Sequence, residues 1–271
     1  LIIAFKIYTE IIAILFAFNS KERSFLIVLS IILYQMKKTV VVLTGAGISA
    51  DSGLATFRNS DGLWANHRVE DICTVEALYR NRDLVIDFYN HRRKEMLEAQ
   101  PNAAHYSLVE LEEKFNTYII TQNVDNLHER AGSKNIVHLH GELSKLCSTK
   151  DTSKTVEIDG WEQAKDSKHI DGSLLRPFIV FFGEPVPNMD IAVDIARKAD
   201  ILFIIGTSLN VYPAASLVNF VENNVPIYIV DPALNDKDSV LQYPNVPNII
   251  YQYPYRASVG VPLLVKDLLN K

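Results

Sequence analysis

The chain is poor in the residue types that would announce several common chemistries. It has only two cysteines, Cys73 and Cys147, far apart, so it can build neither a disulfide framework nor a four-cysteine zinc site. Lysine and arginine nowhere cluster, and the formal charge is −5, which argues against a surface that tracks a phosphate backbone. No apolar run reaches eighteen uncharged residues, fewer than the roughly 20 that a membrane-spanning helix requires. There is also no internal repeat, no low-complexity tract and no serine elbow that would supply a nucleophile.

What is present is a chain of 271 residues, 48% hydrophobic, enough to bury a large core. The first 35 residues differ from the rest, being two apolar stretches broken by Lys6, Glu10 and the charged run 21–23. They lack the basic start and small-residue cleavage site of a secretory signal. Met36 is the first methionine, and residues 1–35 are therefore expected to be non-native upstream sequence. Without them 24 basic and 30 acidic residues remain, a formal charge of −6. A reducing, cytoplasmic setting is expected.

After Met36, β-branched runs at 39–44, 117–121, 136–139, 201–206, 226–231 and 248–252 alternate with helix-period stretches at 84–99, 102–115, 189–199 and 213–224. The alternation predicts an α/β fold, a doubly wound parallel sheet covered on both faces. Residues 145–176 are polar and aperiodic, and a smaller inserted module is expected around 142–178. A helical and cofactor-loop insertion is expected around 55–100.

Directly after the first strand comes GAGISA, residues 45–50, which fits G-x-G-x-x-G/A. In that motif glycines let the backbone approach a pyrophosphate, and a helix N-terminus supplies amide donors. A tight turn without ligand would also select glycine. The second-strand acid of a dehydrogenase is missing; a loop rich in Gly, Asn and Asp follows instead.

The longer stretch GAGISADSGLATFR resembles the signature of the sirtuins. The resemblance continues through TQNVDNLHERAG (121–132), VHLHGEL (137–143), LLRPFIVFFGE (174–184), GTSLNVYPAA (206–215) and ASVGVPLL (257–264), six motifs in order over nearly everything from Met36 onward. It implies a Rossmann-like NAD-binding domain and an NAD-dependent protein-lysine deacylase. In that reaction the acyl-lysine oxygen attacks the nicotinamide ribose, nicotinamide leaves and 2′-O-acyl-ADP-ribose results. No protein nucleophile is needed, only a base and a pocket for nicotinamide.

By this resemblance His140 is the base, and Asn123 and Asp125 complete the catalytic group. Asp125 alone would read as a helix cap for the residues after it. Gly45, Ala46, Gly47, Ser49, Gln122, Gly206, Thr207, Ser208 and Ala257 fall on cofactor-binding positions. Phe57 and Arg58 fall on the loop that covers the ribose. Asp231 stands where most of the family has Asn, and its carboxylate suits ribose hydroxyls. His138 and His128 are expected to be structural.

Tyr89 and Arg92 share a helical face at Y-x-x-R spacing, which matches the class III, bacterial-type branch acting on succinyl- and malonyl-lysine. An acyl carboxylate inside a pocket needs such partners. On spacing alone, Arg92 and Arg93 could equally form a solvated basic face. Residues 181–184 and 209–213 are expected to flank an acyl-lysine peptide bound by strand addition, with Val180, Phe182, Gly183 and Glu184 as its substrate-binding positions. The usual zinc cysteines are absent, so no zinc is expected, and the module must be held by its own packing through Val156, Ile158 and Trp161. Two other readings stay open: an NAD hydrolase or ADP-ribosyltransferase, and a non-catalytic NAD- or ADP-ribose-binding module.

Overall fold

The computed structural model describes residues 37–56, 67–236 and 244–270. The stretch assigned above to upstream sequence, and Phe57 and Arg58, lie outside the described residues.

Six short strands with almost no exposed side chain form the central sheet: β1 (Thr39–Thr44), β2 (Asn116–Thr121), β3 (Ile136–His138), β7 (Ile201–Ile205), β8 (Ile227–Val230) and β9 (Ile250–Tyr253). Their spatial order is β3-β2-β1-β7-β8-β9, and every pair is parallel. Alternation along β1 explains why an unbroken apolar run is needed there. Val40 and Val42 pack with Leu108, Leu111, Val261 and Leu264 on one face, while Val41 and Leu43 pack with Ala196, Leu217 and Val218 on the other. A strand covered on both sides has no polar face to show.

The chain runs outward from β1 to β3 on one side and from β7 to β9 on the other. The order therefore reverses between β1 and β7, and ligands of doubly wound sheets bind at the carboxyl ends of the strands at such a point.

The helices are α1 (Val69–Ile72), α2 (Val75–Arg80), α3 (Arg82–Glu98), α4 (Ala103–Leu111), α5 (Leu127–Ala131), α6 (Met189–Ala196) and α7 (Ala257–Leu269). Two expectations are corrected. The glycine loop opens two 3-10 turns, Ala46–Ile48 and Ala50–Ser52, and not an α-helix. The stretch expected to be helical at 213–224 is a 3-10 helix, Ala214–Phe220.

A second, antiparallel sheet contains β4 (Gly141–Ser148), β5 (Thr155–Glu157) and β6 (Leu175–Ile179), with β4 central. Apolar packing is not what holds its outer part together: Val156 and Ile158 are only half-buried, and Trp161 is 40% exposed. Hydrogen bonds do that work. Ser148 Oγ donates to Asp171 Oδ2 at 3.0 Å, lies 2.7 Å from Ser173 Oγ, and accepts the amides of Lys150 and Asp151. Asp171 Oδ1 accepts the Ser173 amide at 2.9 Å, closing the knot.

Helix α3 anchors this module to the rest of the fold. Arg93 is 0% exposed and donates to the carbonyls of Leu143 (2.6 Å) and Trp161 (2.8 Å) and to Asn90 Oδ1 (2.9 Å). Asn90 in turn bonds both the carbonyl and the amide of Gln163, at 3.0 and 2.8 Å. Burial without a carboxylate partner pulls the Arg93 guanidinium down to about 10. Arg93 is thus a strut, and the solvated basic face weighed for it does not exist.

Candidate active site

The glycines of the loop pack against the segment that follows β7. A Cβ on Gly47 would lie 2.6 Å from the Gly206 Cα, and one on Gly45 would lie 2.7 Å from the Thr207 Cβ. Gly206 itself has φ +59, and a Cβ there would strike the Ile48 amide at 2.5 Å. The two chain segments leaving β1 and β7 are therefore pressed together, with Gly45 N–H donating to the Ile205 carbonyl (3.0 Å) and Gly47 N–H to Gly206 (2.9 Å). Asn102, the N-cap of α4, fixes the loop from the other side by donating to the Ile48 carbonyl (2.8 Å) and Ser52 Oγ (2.9 Å).

Above this seam lies a cavity of about 950 Å³. Its wall includes Gly45, Ala46, Gly47 and Ser49 from the loop; Gln122, Asn123 and Asp125 from the segment after β2; and His140 before β4. Gly206, Thr207 and Ser208 follow β7 into it, Asp231 follows β8, and Ala257 opens α7. On the opposite side stand Tyr89 and Arg92 of α3, with Val180, Phe182, Gly183 and Glu184. Every expected site residue that the structure describes thus borders one space.

Within it the polar groups hold one another in place. Ser49 Oγ donates to Asp125 Oδ2 (3.0 Å) and accepts from Asn123 Nδ2 (3.2 Å). Asp125 Oδ1 accepts the Leu127 amide at the start of α5 at 3.1 Å, while the residue borders the cavity. Burial pushes the Asp125 carboxyl above the usual range, with these hydrogen bonds working against it. Gln122 Nε2 donates to Thr207 Oγ1 (2.9 Å), joining the ends of β2 and β7. Asp231 Oδ1 accepts the Ala233 amide at 2.9 Å.

His140 Nδ1 lies 3.1 Å from the Gln122 carbonyl. A carbonyl only accepts, so Nδ1 carries the proton and Nε2 keeps its lone pair. Burial holds the imidazole below its ordinary range, only partly offset by that hydrogen bond. His138 and His128 do not border the cavity. His138 Nδ1 donates to the Asn123 carbonyl (3.0 Å) and Nε2 to Glu129 Oε1 (2.7 Å), steadying the segment that carries Asn123. His128 Nε2 meets Thr44 Oγ1 at 3.2 Å.

On the α3 side, Tyr89 is buried and donates to Cys73 Sγ, a weak acceptor, at 3.6 Å. Cys73 was not singled out from the sequence, and burial pushes its thiol up to about 11. Met96, Leu143 and Ile179 also line this part without having been anticipated; as ordinary core residues, they carry no signal that could mark them. Glu184 borders the cavity and its carboxylate is engaged within the protein. It grips Arg176 through two bonds of 2.7 Å and accepts the Phe181 amide at 2.8 Å. Phe182 N–H donates to the Cys73 carbonyl at 2.9 Å, tying the expected peptide strand to the segment before α2.

Among the described residues, no group of three or more His, Cys, Asp or Glu is placed to hold a metal ion. Cys147 is buried with its sulfur 3.8 Å from the Pro177 carbonyl, and the small module's residues do not fit a structural zinc. No helix among the described residues is long and apolar enough to cross a membrane.

Residues 45–213 match the model of the Sir2 family. The chain is 56% identical over 200 residues to an NAD-dependent protein deacylase of Aggregatibacter actinomycetemcomitans, covering 74% of this chain and 96% of that protein. Its fold is similar to a Sir2 homologue–NAD complex (TM-score 0.76, 36% identity, covering 87% of this chain and 91% of the other). It is also similar to Sir2Tm bound to a propionylated peptide (TM-score 0.68, 27% identity, covering 89% and 98%). With the glycine seam, the cavity at the switch point and these similarities in agreement, the chain belongs to the Sir2 family.

Proposed function

We propose that this protein is an NAD-dependent protein-lysine deacylase that favours acyl groups ending in a carboxylate, succinyl and malonyl, and also accepts acetyl. The observation that carries the reading is that Tyr89 and Arg92 border the same cavity as His140, Asn123 and Asp125. Gly45, Ala46, Gly47, Ser49, Gln122, Gly206, Thr207, Ser208, Asp231 and Ala257 would hold the dinucleotide along the ends of the strands. When bound, NAD supplies a ribose–nicotinamide bond at which the acyl oxygen reacts.

The residues then divide the work. His140 Nε2 takes a proton from a ribose hydroxyl, and its Nδ1–H stays on the Gln122 carbonyl to fix the tautomer. Asn123 and Asp125, locked through Ser49, present a rigid polar wall to the nicotinamide carboxamide. The Tyr89 hydroxyl gives up only a thiol when it turns to an acyl carboxylate, and Arg92 adds a charge-assisted hydrogen bond. Val180, Phe182 and Gly183 form the peptide side of the mouth, with Glu184 holding their turn. The catalytic domain is assigned to 36–271, acting on acylated proteins in the cytoplasm.

The test is NAD-dependent release of free lysine from matched succinyl and acetyl peptides, followed by mass spectrometry, with His140→Ala and Arg92→Met as controls. A succinyl preference that Arg92→Met removes, and activity that His140→Ala removes, support the reading. If NAD binds but neither peptide reacts, the protein is a hydrolase or a binding module.

A further inference from the structure

Arg92, the cation that meets the acyl group, is engaged before any substrate arrives. Its Nη1 donates to Glu95 Oε2 at 2.7 Å, one helical turn along α3, and its Nη2 to the Ala55 carbonyl at 3.4 Å. The Arg92 side chain is 11% exposed and that of Glu95 31%. Arg92 borders the cavity, whereas Glu95 lies outside its lining. The carboxylate therefore holds the guanidinium from behind the wall. Its other oxygen lies 3.4 Å from His91 Nε2 on the outer face of the helix.

We propose that Glu95 is a specificity-determining residue, which competes with the acyl carboxylate for Arg92 and so limits the preference for acidic acyl-lysines. The inference rests on the assignment of Arg92 to the acyl group. An enclosed arginine without a counter-charge penalises a neutral occupant of the pocket, because nothing then compensates the cation. Glu95 supplies a counter-charge, so an acetyl group can sit beside Arg92 while the cation keeps that ion pair. A succinyl or malonyl group instead finds its partner already shared, and two carboxylates must divide one guanidinium. The i, i+3 spacing fixes this contest in the helix itself.

Steady-state kinetics of the full chain on matched succinyl and acetyl peptides provide the test, comparing the parent with Glu95→Gln, Glu95→Ala and Arg92→Met. Glu95→Gln keeps the shape and removes the charge. It is expected to lower KM for the succinyl peptide about two- to fivefold, the scale of an ion pair near the surface. The acetyl KM should move less than about twofold and both kcat values should hold. Glu95→Ala should shift the succinyl KM in the same direction, and calorimetric NAD binding should match the parent for both variants. If the succinyl KM is unchanged or rises in Glu95→Gln while Arg92→Met still abolishes the preference, Glu95 merely positions Arg92 and the proposal is overturned. If Arg92→Met leaves the succinyl-to-acetyl ratio intact, the acidic-acyl assignment falls, and the role of Glu95 with it.

Discussion

His140 Nδ1 stands 3.1 Å from the backbone carbonyl of Gln122, and this single contact decides which ring nitrogen can act as base. The base form is the neutral ring, and burial holds its pKa below the ordinary value of 6.5. Protonation therefore removes activity only at lower pH than for a solvated histidine. The acid limb of a kcat/KM–pH profile should have its midpoint below 6.5, and a midpoint above that value would contradict the assignment.

Gly47 is confined by backbone, so its substitution cannot be absorbed by a side chain turning away. Gly47→Ala would force its Cβ within 2.6 Å of the Gly206 Cα. The expected loss is about 1–3 kcal/mol of stability from overpacking, with weaker NAD binding as the seam opens. Gly53→Ala is the contrast: its Cβ would meet nothing within 4 Å, and only φ +88 opposes it. Thermal denaturation should rank Gly47→Ala as the more damaging of the two.

The small module should depend on Ser148 and be indifferent to chelators. Ser148→Ala leaves Asp171 Oδ2 and two turn amides without a partner that the structure gives them. A cost of about 1–3 kcal/mol is expected. Prolonged dialysis against EDTA should leave the melting temperature unchanged; a drop that zinc restores would show that a metal holds the module.

The His138–Glu129 pair carries a pH signature. Burial pulls His138 down, but its bond to Glu129 outweighs this and the net shift is upward from 6.5; burial pushes Glu129 up, but His138 outweighs it and the net shift is downward from 4.5. The histidine contribution is complete below 6.5 and fades as pH rises through its raised folded value. The glutamate contribution is complete above 4.5 and fades as pH falls through its lowered one. Glu129→Gln should thus lower Tm most between these limits and progressively less in alkaline solution. A pH-independent loss of Tm would refute the coupling.

The sheet was legible in the sequence because β1, β7 and β8 are buried on both faces and carry unbroken apolar runs. The site was legible as motifs, and its described residues share one cavity. What spacing could not convey was which partner each side chain would choose. Arg92 and Arg93 are adjacent, yet one faces the cavity and the other is buried as a strut, because neighbouring helical positions point about 100° apart. The small module was opaque for a different reason: it is stabilised by Ser148, Asp171 and Ser173, whose side chains leave no periodic pattern. Glu184, expected beside the peptide, borders the cavity, and spacing did not reveal that its carboxylate also grips Arg176. The glycine pattern was recognised, but not that the segment after β7 packs so closely against it that no Cβ fits at Gly45 or Gly47.

That last point constrains how the enzyme can change. Residues 45–47 and 206–207 behave as a welded joint, each side forbidding the other an extra carbon. A search for altered cofactor preference will find no tolerated variation there, and mutational freedom must be sought where side chains face open space, at Asp231 and along the rim.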